Sequence, residues 1–182
     1  MTRTLLRLAV RATFYPSLWF HEAMCAAGVW RKWDAVDECV LVGSLPSRRD
    51  LVRLRDLGVG GVVNLCQEFA GYLDTLEALA LEQLHLPTLD YHSPSEEHVL
   101  HGLTFIARHK LAGARTYVHC KAGRGRSATL AVCWLMAERG IAADQAYSIV
   151  RAARPHIDRR IVSRPVVRAI ERRVQHGWRP EA

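Results

Sequence analysis

A cysteine, five residues and an arginine, with glycine at the third and fifth of the intervening positions, link two apolar runs in Val118-His119-Cys120-Lys121-Ala122-Gly123-Arg124-Gly125-Arg126-Ser127. The run before it, Thr116 to His119, reads as a strand; the run after it, Ser127 to Arg139, reads as a helix closed by Gly140. A strand that passes through a tight loop into a helix requires a layered α/β architecture. Five residues allow the backbone to curl until successive N–H groups converge on one anion, to which the helix adds its positive end. Gly123 and Gly125 supply backbone conformations that a side chain disfavours. Arg126 can offer two oxygens a planar fork, and the same donors should depress the Cys120 thiol and make it a nucleophile. Ser127 stands where a hydroxyl can stabilise that thiolate when it leaves.

The rest of the chain agrees with this frame. Cys39 to Gly43, Gly61 to Leu65 and Gln83 to Leu86 read as further strands of a mostly buried sheet. Helical periodicity marks Arg48 to Leu57, Ala70 to Leu81, Glu96 to Leu111, Ala142 to Ala153 and Ser163 to His176. No repeat or linker interrupts the pattern. The expectation is one catalytic domain over residues 31–176, a mostly parallel central sheet flanked by helices, with a lead-in at 1–30 and a tail at 177–182.

Composition narrows the partners. A net charge of +7 favours acidic ligands such as phosphate esters, nucleic acid or an anionic membrane surface without choosing among them. Five scattered cysteines without a Cys-x-x-Cys pair point to neither a disulfide framework nor structural zinc, and a reducing compartment fits. His98, His101 and His109 have no companion cysteines, so no metal or other cofactor is expected. Residues 1–20 lack acids, carry Arg3, Arg7 and Arg11, and interleave apolar residues, the pattern of a basic amphipathic helix too short in its uncharged stretches to span a bilayer. That helix serves either as a peripheral membrane contact, as packing on the domain, or as an arginine-rich targeting segment.

The loop resembles the protein tyrosine phosphatase signature, His-Cys-x5-Arg-Ser/Thr. Phe14-Tyr15-Pro16, Val42-Gly43-Ser44-Leu45-Pro46, Gly61-Val62-Val63-Asn64-Leu65 and Lys121-Ala122-Gly123-Arg124 are similar to the mitochondrial phosphatidylglycerophosphate phosphatase branch of the dual-specificity class. The resemblance implies a phosphomonoesterase with a phosphocysteine intermediate: Cys120 attacks phosphorus, while Arg126 and the amides of Lys121, Ala122, Gly123, Arg124 and Gly125 hold the phosphate. A leaving alkoxide needs a proton. Asp90, on the loop after the third strand, is the expected general acid; a turn or helix-capping aspartate is the competing reading, and Asp74, Glu96 and Glu97 are weaker candidates. His119 is expected to orient the loop, and Glu68 is what remains of that branch's glutamate-rich loop.

Lys121 and Arg124 place extra positive charge in the loop, as in phosphoinositide phosphatases of the tensin-homologue type. A phospholipid head group is therefore the expected substrate, phosphatidylglycerophosphate or a phosphoinositide, with no nucleic acid. Phosphotyrosine or phosphoserine/threonine proteins are the alternative, and a non-catalytic phosphate-binding module is the alternative from another class. The glycine spacing also mimics a dinucleotide fingerprint, which leaves Cys120 and Arg126 unexplained. The expected location is cytoplasmic, peripheral at an inner membrane face, or mitochondrial in a eukaryote.

Overall fold

The computed structural model describes residue 19, residues 23–25 and residues 27–181. The amphipathic pattern over 1–20, apart from an exposed Trp19, and the Phe14-Tyr15-Pro16 motif lie outside the described residues. Contacts divide the chain into residues 1–32 and residues 33–182. In the first unit Ala23, Met24 and Cys25 are helical, and the turn closes through Ala27 N–H donating to Ala23 O at 2.9 Å.

The second unit carries five strands: β1 (Trp33–Ala35), β2 (Val40–Gly43), β3 (Val59–Cys66), β4 (Glu82–Thr88) and β5 (Arg115–His119). They lie in the order β1-β2-β5-β3-β4, antiparallel between β1 and β2 and parallel elsewhere. The helices are α1 (Arg48–Asp56), α2 (Leu73–Ala78), α3 (Glu96–Leu111), α4 (Arg126–Arg139), α5 (Ala143–Ala153) and α6 (Pro165–Gln175). β2 and the final six residues of β3 are buried at every position. This is why they read as apolar runs interrupted only by Asn64: a parallel strand covered by helices on both faces has no polar side.

α4 leaves β5 through the glycine loop and is buried from Arg126 through Ala137. Its residues are apolar on nearly every side, as expected of a helix at the centre of a domain rather than on its surface. Trp134 is fully enclosed, and its indole N–H finds an acceptor 2.7 Å away at Asp37 Oδ2. The other carboxylate oxygen of Asp37 accepts the amides of Cys39 and Val40 at 2.8 and 2.7 Å. One aspartate thus ties the turn before β2 to the middle of the core. Gly140 ends α4 at φ +65°, the left-handed conformation that glycine adopts most readily.

Two local expectations change. The helix expected over Ala70 to Leu81 shrinks to Leu73–Ala78, because residues 67–72 form a loop shaped by Asn64. β1, whose three residues Trp-Asp-Ala carry no alternation long enough to read, adds an antiparallel edge. Parallel strands run their carboxyl ends to one edge of the sheet. The loops that follow β2, β3, β4 and β5 therefore converge on one rim.

Candidate active site

The loop after β5 is held open from outside. Every carbonyl from Lys121 to Gly125 has a named donor: Lys121 O accepts Leu45 N–H at 3.1 Å, and Arg124 O accepts Asp158 N–H at 2.9 Å. Arg154 donates from Nη2 to Ala122 O at 3.0 Å and from Nε to Gly123 O at 2.7 Å. Gly125 O accepts Thr129 N–H, the Thr129 hydroxyl and Arg164 Nη1. A trans peptide points its C=O and N–H in opposite directions, so carbonyls fixed outward turn the next residues' amides inward. Gly123 sits at φ +69°, and a Cβ there would lie 2.6 Å from the Gly43 carbonyl, so the position is closed to other residues on two grounds.

Cys120 occupies the floor of this ring, 3% exposed, with its sulfur 3.3 Å from Ser127 Oγ. Burial alone would push the thiol up. The Arg126 guanidinium, the Ser127 hydroxyl and the amides of Ser127 and Gly123 outweigh it and bring the thiol down from 9.0 to about 7. A substantial thiolate fraction at neutral pH follows. His119 is fully enclosed, which drives its imidazole down to about 3. It is therefore neutral, stacks on Tyr117 at 5.6 Å between ring centroids, and has Nδ1 3.4 Å from Cys120 O.

Arg126 is fixed by one nitrogen and engaged by the other. Nη1 donates to Thr88 O at 2.7 Å, to Glu68 Oε2 at 3.0 Å and to Leu65 O at 3.4 Å. Nη2 donates to Asp90 Oδ1 at 2.9 Å, and Asp90 Oδ2 lies 2.5 Å from Lys121 Nζ. Glu68 Oε1 in turn accepts the Asp90 amide at 2.9 Å. Glu68 thus links Arg126 to the loop that bears Asp90, a larger part than its solitary place in the sequence indicated.

The two extra cations separate. Lys121 is only 8% exposed in its side chain and belongs with Asp90, with its Nζ 5.7 Å from the Tyr91 ring; a solvated surface charge is excluded for it. Arg124 turns away from Asp90, and its Nε donates to His156 O at 3.0 Å, in the segment that also carries the exposed Arg159 and Arg160. Asp74 and Glu96 pair instead with Arg48 and Arg173 on the surface.

Sequence reasoning missed Asn64, Arg154 and Arg164. Asn64 is buried at the end of β3, donates to Phe69 O at 2.8 Å and accepts Cys66 N–H at 2.9 Å, which shapes the loop bearing Glu68. A buried polar side chain inside an apolar strand is the signal that could have drawn notice to it. Arg154 and Arg164 stand among many arginines and carry no comparable local mark.

The family model for the dual specificity phosphatase catalytic domain matches residues 41–171. The chain belongs to the dual-specificity phosphatase family. Among relatives of this phosphatase, phosphatidylglycerophosphate phosphatase PTPMT2 of Arabidopsis thaliana is 37% identical over 159 residues, spanning 85% of this chain and 70% of that protein. The Homo sapiens phosphatidylglycerophosphatase and protein-tyrosine phosphatase 1 is 31% identical over 159 residues, 81% of this chain and 78% of that one. Among solved structures, Tk-PTP in its active form shares 32% identity with a TM-score of 0.72, covering 79% of this chain and 99% of that one. PTPMT1 in complex with PI(5)P shares 25% identity with a TM-score of 0.73, covering 80% and 98%. The expected fold class, a mostly parallel α/β sheet of the cysteine phosphatase kind, is the one observed.

Proposed function

We propose that this dual-specificity phosphatase hydrolyses a phosphomonoester on a phospholipid head group through a phosphocysteine intermediate. The observation that carries the chemistry is the buried Cys120 sulfur, 3.3 Å from Ser127 Oγ, beneath a loop whose carbonyls are all tied outward, with Arg126 at its edge. In this reading the substrate phosphate enters the ring and takes over Arg126 Nη2, where the carboxylate of Asp90 now stands in for a phosphate oxygen. Cys120 attacks phosphorus as Asp90, released toward the leaving oxygen, donates its proton. Arg126 and the amides hold the charge that develops on the equatorial oxygens. Ser127 then stabilises the thiolate as water, deprotonated by Asp90, breaks the P–S bond and frees inorganic phosphate.

The lipid preference rests on the relatives' names and on Arg124. With Lys121 committed to Asp90, a second anionic group on the substrate, such as the phosphodiester of phosphatidylglycerophosphate, has its complement at Arg124, Arg159 and Arg160. Among the described residues no helix is long and apolar enough to cross a membrane, so access to a lipid would come by peripheral contact, with residues 1–20 as the proposed segment. A cytoplasmic place at an inner membrane face, mitochondrial in a eukaryote, fits that contact. Protein phosphotyrosine is the second reading, favoured by the name of the human relative.

A panel decides between them. The purified protein is offered phosphatidylglycerophosphate and phosphoinositides in mixed micelles beside phosphotyrosyl peptides, and phosphate release is measured. The reading expects kcat/KM highest on a lipid and activity lost in Cys120→Ser. Peptides turned over as fast as every lipid would overturn the lipid assignment, and release unaffected by Cys120→Ser would overturn the mechanism.

A further inference from the structure

Arg154 lies at the end of α5, far from the loop in sequence, yet its side chain is 6% exposed, and three of its contacts bear on the loop. Two are the Ala122 and Gly123 carbonyls, and the third is Asp34 Oδ2 on β1 at 2.7 Å, itself buried. We propose that Arg154, oriented by Asp34, is the positioning residue of the anion ring and acts on Cys120 through the Ala122–Gly123 peptide. The N–H of that peptide belongs to Gly123 and is one of the donors that lower the Cys120 thiol, while its C=O is the group held by Arg154 Nη2. The carbonyl of the next peptide, held by Nε, fixes the direction of the Arg124 N–H.

The need for such a brace follows from the other carbonyls. Those of Lys121 and Arg124 meet backbone amides, and that of Gly125 meets the first turn of α4, so neighbouring main chain already fixes them. Ala122 and Gly123 are held by a side chain. They flank φ +69°, where glycine has the widest choice of alternative conformations and a peptide can turn over at low cost. A planar fork with donors in fixed directions can hold both carbonyls and the carboxylate at once, which a lysine ammonium on a flexible stem does not do equivalently.

A buried ion pair could instead serve stability alone, and the test separates these roles. The pH dependence of Cys120 alkylation by iodoacetate is measured beside urea unfolding for Arg154→Ala, Arg154→Lys and Asp34→Asn. Alkylation needs no substrate, so the proposal can fail while the phosphatase reading stands. Arg154→Ala should raise the alkylation midpoint by about one pH unit, roughly a tenfold loss of thiolate below it. Arg154→Lys should recover more of the stability than of the midpoint, and added guanidinium should lower the midpoint of Arg154→Ala. Asp34→Asn, the mildest change, should shift it upward by less. A wild-type midpoint in whichever of these variants folds, or a lysine variant that restores midpoint and stability in equal measure, overturns the proposal.

Discussion

Replacing Glu68 by glutamine tests whether the clamp is positioned by its acidic neighbour. Glu68 is 4% exposed in its side chain and accepts two hydrogen bonds, from Arg126 Nη1 at 3.0 Å and from the Asp90 amide at 2.9 Å. Glutamine keeps the volume and one acceptor but presents an amide where the second acceptor stood. The amide nitrogen faces one partner or the other: at Arg126 it removes a charge-assisted hydrogen bond of about 1.5–3 kcal/mol, and at the Asp90 amide it sets donor against donor at a similar cost. Part of the loss is recovered, because Arg126 Nη1 keeps the Thr88 and Leu65 carbonyls. A net effect of about 2 kcal/mol on transition-state binding corresponds to a fall in kcat/KM of roughly thirtyfold. The assay is steady-state hydrolysis of an aryl phosphate, with urea unfolding to show that the variant is folded. Asp74→Asn, whose carboxylate pairs with Arg48 on the surface, is the matched control and should leave kcat/KM at the wild-type value. A folded Glu68→Gln protein within twofold of wild type would refute the claim that Glu68 sets the place of Arg126 and Asp90.

The Cys120 thiol should titrate near pH 7 by alkylation. Because its folded pKa is depressed from 9.0, the folded state binds fewer protons than the unfolded one between about 7 and 9, so stability rises with pH across that window and Cys120→Ser should flatten the rise in urea titrations. Asp90→Asn should lower kcat/KM, which reports only the transfer to Cys120, much more for alkyl than for nitrophenyl phosphate, since a good leaving group needs no proton; equal losses would remove the acid role. Gly123→Ala should abolish hydrolysis, because neither the φ nor the Gly43 backbone 2.6 Å away can give; a variant with wild-type turnover would show a more pliable loop. Arg159→Ala with Arg160→Ala should raise KM for a lipid bearing a second phosphate about tenfold and leave aryl phosphate kinetics unchanged, as steady-state assays on both substrates would report.

Cys120, Arg126 and Ser127 were legible because the chemistry that needs them also needs them in register, so a short string holds the whole pattern. The central strands were legible for a related reason. Burial on both faces leaves an apolar run that no surface segment imitates. Asp90 could be placed by its position after a strand, but its contacts with Arg126 and Lys121 could not, since they depend on how two loops from non-adjacent strands, β4 and β5, meet at the rim. The same holds for Lys121 and Arg124. As sequence they are equivalent extra cations, and only the direction in which the loop curls sends one to Asp90 and the other to His156. Arg154 was the least legible, because its role lies in two carbonyls, and main-chain acceptors leave no trace in the identity of the residues that bear them.

The carbonyls of the anion ring also bear on how activity and stability are linked in this fold. Their donors come from the segment after β2, from α4, from the end of α5, from the loop before α6 and from Arg164 at the start of α6. Ordering the five residues of the loop costs on the order of 1–2 kcal/mol of backbone entropy each, and the inward amides other than those of Gly123 and Ser127, which already face the sulfur, have no hydrogen-bonding reward until a phosphate arrives. The outward carbonyls supply the offset before substrate binds. The ring is thus assembled by folding rather than by the ligand, and the binding energy of the phosphate remains for the transition state. A substitution that loosens any of these distant donors should therefore appear first in the ionisation of Cys120 and only afterwards in the unfolding curve.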